Sequence, residues 1–342
     1  MKDLYTLLRD LSNLDGIGGQ ENAVRAYILA ELKTSPAEMT CETDPMGNLL
    51  VRVKGVSPAA KTVTFAAHMD EVGLIVTGIE KDGTLRFATV GSIQDAVLFG
   101  RQVRVNGHIG VIAGKAIHQC KGDEEKKAPK TENLRIDLGL TSEEEAAKWV
   151  AAGDMVAFHT AYDDMNADRV WGKALDDRVG CALLLELVRE VPPFDITLAF
   201  TTQEEVGLRG AATAAFNLKP DYAVIIDATT AADVAGVEGA KEVCRQTQGP
   251  VVSFMDRRTL YPKALYERVR ALAAEKGIPS QTKMQVAGGN DAGAFQSAAG
   301  GVAVTAVSLP CRYIHAPISV LHRADIDNTA ALLKALVAEL AQ

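Results

Sequence analysis

Two adjacent glutamates, Glu204 and Glu205, stand one residue after ITLAFTT, a run of residues that predicts a buried strand. A carboxylate beside the core costs several kcal/mol unless a positive group compensates it. Arg209 is the one cation close to the pair in the sequence. The two glutamates therefore predict a further positive partner at the end of this strand.

Other predicted core strands end in the same way, with side chains that can bind metals or protons. His68 and Asp70 follow TVTFAA, Asp227 follows YAVII, and His315 comes after a short loop behind VAVTAVSLP. In addition, Asp176 and Asp177 in GKALDDRVG stand just before a predicted buried helix. Open α/β sheets bind ligands outside the carboxyl ends of their strands. We therefore expect these side chains to converge on one crevice.

Such a cluster favours divalent cations. Several carboxylates in one cleft repel each other, and two imidazoles cannot neutralise them all. Histidine with Asp and Glu suits Zn²⁺ or Co²⁺, with Mn²⁺ as a third candidate. The number of ligands fits a two-metal site better than a single metal. Because adjacent residues point in different directions, one of Glu204 and Glu205 is expected to ligate while the other acts as a base.

Each signal has an ordinary structural alternative when it is taken alone. A histidine after a strand is usually a loop residue, and paired aspartates before a helix are often an N-cap. The EEVG segment also fits a solvated turn. Asp227 resists such an interpretation more strongly because it follows five residues with an apolar strand pattern. The coincidence at four strand ends is what favours the metal hypothesis.

The surrounding elements predict an α/β domain that is interrupted by a small β domain. Helical patterns at 3–12 and 20–33 precede strands, and alternating strands and helices return after about 165. Between them, short β runs are separated by hairpin signals at Asp82-Gly83 and Asn106-Gly107. We assign the α/β domain to 1–72 and 163–342 and the inserted β domain to 73–162. Within the insertion, 120–133 predicts a charged loop.

Composition and charge limit the classes of function. The net charge of −8 over 342 residues argues against nucleic acid or an anionic membrane as the main partner. No stretch approaches the ~18 apolar residues of a membrane span, and the first helix does not resemble a signal peptide. The five cysteines form no C-x-x-C motif. Reduced thiols in the cytoplasm are the expected state.

Six motifs occur in an order that resembles one known family. They are AHMDEVG, GKALDDRVG, TTQEEVGLRGA, DATTAADVAG, GGNDAGA and YIHAP. The chain resembles the tetrahedral (TET-type) dinuclear metallo-aminopeptidases, also called glutamyl aminopeptidase or cellulase M, over nearly its whole length. The resemblance implies a zinc-exopeptidase-like α/β domain with a mixed sheet flanked by helices. It also implies that the insertion is a PDZ-like or barrel-like dimerisation domain, with dimers that assemble into tetrahedral dodecamers.

The resemblance also implies a role for each site residue. His68 and Asp227 would bind one metal, Glu205 and His315 the other, and Asp176 would bridge both. Glu204 would be the general base, and Asp70 would orient His68. The peptide bond after Asp176 is often cis in such enzymes. The chain departs from relatives at Asn290, where they often have Thr, and at Ala316 and Ile318 in the YIHAPIS segment.

The expected activity is metal-dependent release of N-terminal residues from peptides. In this hypothesis a hydroxide that bridges the two metals attacks the first peptide carbonyl, and Glu204 takes and returns the proton. A deacylase or deacetylase with the same metal pair is the main alternative, because the ligands do not specify the amide. A metal-free endoglucanase fits poorly, since only 5% of the residues are aromatic. The preferred N-terminal residue is left open.

Overall fold

A computed structural model describes residues 1–122 and 126–342. Residues 123–125, which belong to the predicted charged loop, lie outside the described residues. No helix of the described chain combines the length and the apolar character that a membrane crossing requires. All five cysteines fall within the described residues and are free thiols.

Eight α-helices occur in the described chain, and several match sequence predictions within a few residues. Their bounds are α1 (Leu4–Asn13), α2 (Asn22–Leu32), α3 (Glu143–Ala146), α4 (Leu175–Leu187), α5 (Arg209–Leu218), α6 (Lys263–Glu275), α7 (Ala292–Ser297) and α8 (Arg323–Leu340).

The described chain also contains seventeen strands. Their bounds are β1 (Met39–Thr43), β2 (Leu49–Val53), β3 (Val63–His68), β4 (Gly73–Ile79), β5 (Leu85–Val90), β6 (Gln102–Val105), β7 (His108–Ala113), β8 (Arg135–Asp137), β9 (Met155–Phe158), β10 (Asp163–Asp164), β11 (Arg169–Gly172), β12 (Ile196–Thr201), β13 (Tyr222–Thr230), β14 (Val251–Val252), β15 (Gln281–Thr282), β16 (Ala303–Cys311) and β17 (Ser319–His322).

An eight-stranded mixed sheet forms the centre of the α/β part, in the order β1-β2-β12-β3-β13-β16-β14-β15. The four middle strands, β12, β3, β13 and β16, are parallel to each other. Their residues are buried on both faces, and α4, which packs against β3 and β13, is buried almost all round. Parallel strands that are covered on both faces have continuous apolar sequences, and this pattern predicted these strands from the sequence. The predicted α/β class is confirmed.

The inserted β unit is a closed barrel. Six antiparallel strands follow the order β4-β5-β8-β7-β6-β9 around it. Its apolar core is separate from the core of the large sheet and includes Leu74, Val103, Ile112 and Val156. The barrel strands fall inside 73–162, the range predicted from the sequence. The residues at which one domain gives way to the other stay a prediction.

The strand ends are aligned so that their polar residues meet. Thr201, the last residue of β12, pairs with His68, the last residue of β3. On the other side of β3, Ile225 pairs with Ala66, so Asp227 stands level with His68. The sequence pattern placed Asp227 just after its strand, whereas β13 continues to Thr230 because it keeps pairing with β16. Parallel register therefore brings ligands from separate segments to one edge.

Candidate metal centre

The Asp176 carboxylate lies between two imidazoles and contacts both. Its Oδ1 is 3.3 Å from Nε2 of His68, and its Oδ2 is 3.3 Å from Nε2 of His315. A carboxylate with one histidine at each oxygen is arranged to bridge two cations. The peptide bond between Asp176 and Asp177 is cis, as the family resemblance implies.

Each histidine also has a carboxylate of its own. Asp227 Oδ1 lies 3.7 Å from Nε2 of His68, and Glu205 Oε2 lies 3.5 Å from Nε2 of His315. The side chains thus form two sets, each with one histidine and one carboxylate, that share Asp176. All five residues predicted as metal ligands are members of this cluster.

Local backbone conformation holds His315 and the glutamate pair in place. His315 has a φ of 56° in the loop between β16 and β17, and Gln203, just before Glu204, has a φ of 56°. Residues with a Cβ avoid this left-handed region, at a cost of about 1–2 kcal/mol. Both positions therefore depend on their surroundings to keep the functional side chains aimed at the cluster.

Asp70 anchors the turn that carries the two glutamates. It is fully buried, and its carboxylate accepts the backbone N–H groups of Glu204 at 3.0 Å and Glu205 at 3.1 Å. His68 Nδ1 is closer to the Asp70 carbonyl oxygen, at 3.0 Å, than to Oδ1, at 3.5 Å. Asp70 therefore contacts His68, and the shorter of the two contacts is made by the main-chain oxygen of Asp70. The carboxylate of Asp70 also holds the turn that contains Glu204 and Glu205.

The cluster is electrostatically frustrated without cations. Burial raises the pKa of Glu204 well above its usual range, and Asp227 and Asp291 add to that shift. Burial also raises the pKa of Glu205 to about 8 and that of Asp227 to about 6. For His315, burial opposes the charged form, but the contact with Asp176 outweighs it and raises the pKa to about 9. Buried like charges that displace each other's pKa values are typical of metal and catalytic sites.

The donor set fits divalent metal ions. Asp176 Oδ1 and Glu205 Oε1 are buried and have no hydrogen-bond partner among the described residues. Ligand atoms of His68, Asp176 and Glu205 lie within 4.8 Å of one another, and so do those of His68, Asp177 and Asp227. Imidazole nitrogens and carboxylate oxygens at these spacings suit Zn²⁺ and similar cations. A cation would be a ligand partner for these two buried oxygens, which accept no hydrogen bond from the described residues.

Two buried acids beside the cluster have contacts that the sequence did not reveal. Asp177 accepts the backbone N–H groups of His68 at 3.3 Å and Gly180 at 3.0 Å, one on each oxygen. Asp291 accepts a hydrogen bond from the Thr201 hydroxyl at 2.6 Å, and burial raises its pKa to about 7. Both lie in motifs that the sequence marked, but their partners are distant in the chain.

A buried ion-pair network, which we call the Glu71 network, supports the segments that carry the ligands. Lys173 Nζ donates to Glu71 Oε1 at 2.7 Å, and Arg178 Nη2 lies 3.3 Å from the same oxygen. Arg178 also donates to the carbonyl oxygens of Met69 and Leu11. These contacts join residues 69–71, next to His68, to residues 173–178 around Asp176.

The Glu71 network continues into the barrel through Asp15. Lys173 Nζ lies 3.2 Å from Asp15 Oδ1. Arg104, on β6, donates to both Asp15 oxygens, at 2.6 and 2.7 Å. A two-pronged Arg–carboxylate pair of this kind fixes orientation as well as distance. One barrel strand is thereby tied to the residues beneath the cluster.

A cavity of about 650 Å³ opens onto the cluster. Six of the seven predicted site residues line it: His68, Asp176, Glu204, Glu205, Asp227 and His315. The barrel contributes Ser92 to the wall of the cavity, which also includes Arg257, Arg258, Lys283 and Asn290. Its volume falls in the range of ligand sites in proteins, which is ~300–1,000 Å³.

The chain matches the family described as M42 glutamyl aminopeptidase over residues 47–332. A protein from Acetivibrio thermocellus, named a putative aminopeptidase, is 35% identical over 97% of this chain and 98% of its own. The lysyl aminopeptidase of Pyrococcus furiosus is 30% identical over 98% of this chain and 97% of its own.

Solved structures agree with these matches. A TET aminopeptidase from a marine sediment thaumarchaeote superimposes with a TM-score of 0.93 at 32% identity, over 98% of this chain and 96% of that one. The TET1 peptidase of Pyrococcus horikoshii, which can assemble into a tetrahedron or a large octahedral shell, gives 0.85 at 33% identity, over 98% and 99%.

Proposed function

Because the chain belongs to the M42 glutamyl aminopeptidase family, we propose that it is a dinuclear metallo-aminopeptidase that removes single residues from the free N-termini of peptides. The observation that carries the proposal is the Asp176 carboxylate, whose two oxygens each lie 3.3 Å from a different histidine. With one further carboxylate beside each histidine, the cluster has the composition of two adjoining metal sites.

Two divalent cations would be held by five residues of the cluster. His68 and Asp227 would bind one, Glu205 and His315 would bind the other, and Asp176 would bridge them. Zn²⁺ and Co²⁺ are the favoured ions, followed by Mn²⁺. When bound, such a pair supplies Lewis acidity that lowers the pKa of a water molecule and polarises the scissile carbonyl.

Two observations support Glu204 as the group that moves the proton. Its carboxylate lines the cavity and has no hydrogen bond to any other residue of the described chain, unlike that of Asp70. Its backbone N–H is fixed by Asp70 at 3.0 Å, so the base and the ligand Glu205 keep a constant relation. In this proposal Glu204 accepts a proton from the attacking water and returns it to the leaving amine.

The charge of the cavity favours a free N-terminus. Glu204, Asp227 and Asp291 lie at or beside the cluster. Besides burial, the charges of Asp227 and Asp291 raise the pKa of Glu204, and the charge of Asp227 also raises the pKa of Asp291. An α-ammonium group entering the cavity would relieve this repulsion, whereas an acetylated N-terminus would not. Recognition of the amine in this way would confine cleavage to the first peptide bond.

Assembly and location complete the proposal. We assign the protein to homo-oligomers, with dimers that form through the barrel and assemble into tetrahedral dodecamers, because its TET relatives form closed shells. We place it in the cytoplasm because its five cysteines are free, which suits a reducing compartment.

The test is hydrolysis of unblocked peptides and of their N-acetylated counterparts by chelated protein to which Zn²⁺, Co²⁺ or Mn²⁺ is restored. We expect release of the first residue from free N-termini only, and only after a metal is added. Equal cleavage of the blocked peptides would instead support a deacylase or another amidase. No cleavage of any peptide with any metal would contradict the proposal.

A further inference from the structure

Three cationic side chains line the same cavity as the acidic cluster. Arg257, Arg258 and Lys283 all line the cavity. Among the described residues, no carboxylate forms an ion pair with any of the three. Cations in a wall without protein partners are available to an anionic group of a ligand.

A tight turn presents the two arginines. Met255 and Leu260 pair across it. Asp256 is the acid nearest to the arginines in sequence, but its carboxylate is already used: it accepts the backbone N–H groups of Arg258 and Thr259 at 2.8 Å each and the hydroxyl of Tyr261 at 2.7 Å. The aspartate therefore shapes the turn and leaves both guanidinium groups free of it.

The glycine-rich segment GGNDAG makes room for Arg258. A Cβ atom at Gly289 would come within 2.4 Å of Arg258 Cγ, and one at Gly293 would come within 2.8 Å of Arg258 Cβ. Side-chain atoms in proteins essentially never approach each other this closely. Any larger residue at position 289 or 293 would therefore displace the aliphatic part of Arg258. These glycines give the motif a function that the metal cluster did not explain.

Lys283 and Asn290 add two buried polar side chains to the wall of the cavity. Lys283 is only 8% exposed, and Nζ donates to one neutral acceptor, the Ala287 carbonyl oxygen at 2.7 Å. A buried ammonium group is costly unless an anion accompanies it. Asn290 is 6% exposed and uses Oδ1 to accept the Ala292 N–H at 3.0 Å, which leaves its amide N–H groups for the cavity.

We propose that Lys283, Arg258 and Asn290, assisted by Arg257, form a subsite that binds a carboxylate of the peptide substrate. The inference rests on the proposed aminopeptidase function and names the substrate class of that same cavity. The carboxylate has two sources, the side chain of an acidic N-terminal residue and the C-terminus of a short peptide. Family membership does not decide the side chain, since the family is described as glutamyl and one member is a lysyl aminopeptidase.

The experiment uses the metal-loaded protein and two pairs of tripeptides. One pair has Glu or Gln as the first residue with an amidated C-terminus, and the other has Leu as the first residue with a free or an amidated C-terminus. The variants are Lys283→Met and Arg258→Gln. The control is Lys263→Met, which removes a cation whose side chain is 86% exposed on α6.

We expect the wild type to prefer the carboxylate-bearing member of one pair in kcat/KM. Lys283→Met and Arg258→Gln should each reduce that preference about 10- to 100-fold, while kcat/KM for its neutral counterpart and the control variant stay near wild type. The pair that responds identifies the source of the carboxylate. Retained cleavage of the neutral peptide shows that the variants are folded and active.

Two outcomes would overturn the subsite. The wild type could show no preference in either pair, or both variants could lower kcat/KM equally for all four peptides. If the wild type cleaves none of them with any metal, the aminopeptidase proposal itself fails, and the subsite fails with it. The neutral, amidated leucine peptide separates these cases.

Discussion

The proposed mechanism gives two neighbouring residues, Glu204 and Glu205, different roles. Glu205 is drawn towards His315, with Oε2 3.5 Å from its Nε2, while the Glu204 carboxylate lines the cavity. Both backbone N–H groups are held by the same Asp70 carboxylate. Adjacent side chains of a chain held in this way diverge, so one of them can ligate while the other reaches substrate.

Replacing Glu204 with Gln should abolish most turnover without removing the metals. The amide keeps the shape of the side chain but cannot accept a proton, and loss of a general base lowers kcat by roughly 10²–10⁴-fold. Metal content by elemental analysis and kcat on an unblocked peptide would be measured together. Glu205→Gln is the matched comparison, and it should lose metal as well as activity. Full turnover by the Glu204 variant would refute its assignment as the base.

The metal-free protein should lose thermal stability as pH rises from about 5 to 9. The pKa values of Asp227, Asp291, Glu205 and His315 are raised, to about 6, 7, 8 and 9. A group whose pKa is higher in the folded state stabilises the fold below its unfolded pKa and loses that contribution as pH passes through the folded value.

Calorimetry at pH 5, 7 and 9 would measure this loss, with chelator and with metal restored. Bound cations favour the ionised carboxylates, so the fall in Tm should be much smaller in the loaded protein. Asp176 has the opposite sign, because its pKa is lowered, but its contribution changes only in strong acid. A Tm that rises with pH in the chelated protein would contradict the prediction.

At the scale of elements, the ligand segments depend on the Glu71 network beneath them. Glu71 and Lys173 each have side chains that are 2% exposed, and Arg178 has none of its side chain exposed. Three ionised groups buried together are tolerated because the backbone carbonyl oxygens of Leu11, Leu14 and Met69 accept the remaining donors. Removal of one member leaves the others without a full set of partners.

Lys173→Met should therefore destabilise the protein by about 3–5 kcal/mol, the usual cost of breaking a buried ion pair. Urea unfolding at fixed metal concentration would measure the change. Lys54→Met is the matched control, because Lys54 and its partner Glu38 are exposed at 67% and 75% and such pairs contribute little. Equal losses in the two variants would show that the Glu71 network has no special importance.

The sequence predicted elements whose pattern is local and missed those fixed by distant partners. β3, β12, β13 and α4 have apolar runs that identify them without a structure. The edge strand β1 is mostly exposed and pairs only with β2, and α5 is rich in small Ala residues, so neither has a strong pattern. Helix propensity and periodicity alone do not reveal such elements.

The same distinction applies to the site. Strand-end positions were enough to gather most of the seven predicted residues, because parallel register aligns strand ends. Asp176 was found instead by its place just before a buried helix. The links of Asp177 to the His68 N–H and of Asp291 to Thr201 join positions 109 and 90 residues apart. No spacing in the sequence encodes those contacts. They follow from how the turn of α4 and the start of α7 pack against β3 and β12.

At the scale of the whole molecule, the barrel exposes four large apolar side chains, those of Phe99, Ile109, Val111 and Trp149. These side chains are between 39% and 54% exposed. Ile109 and Val111 are two residues apart on β7 and so share its outer face, and Trp149 stacks on His108 at the start of that strand. An exposed apolar group of this kind is typical of an interaction surface.

We expect the double variant Ile109→Glu and Val111→Glu to reduce the oligomer to a smaller species. Charges at these positions point outward and leave the barrel core intact, whereas a partner barrel could not cover them. Light scattering would give the mass, and circular dichroism would confirm the fold. Phe216→Glu, at a 60% exposed position of α5, is the control and should leave the mass unchanged. An unchanged mass in the double variant would exclude the outer face of β7 as the contact between subunits.

The carboxylate of Asp15 connects the barrel to the segment that carries Asp176, which gives the proposed metal sites a route of coupling to the barrel. Asp15 binds Arg104 of the barrel and Lys173 beneath Asp176. A contact between subunits that fixes the position of the barrel would, through Asp15, also restrict the movement of the segment that carries Asp176. By reciprocity, metal ions that fix those segments stabilise the seated barrel by the same free energy. Under the proposed function, subunit assembly and metal binding are therefore expected to be linked equilibria.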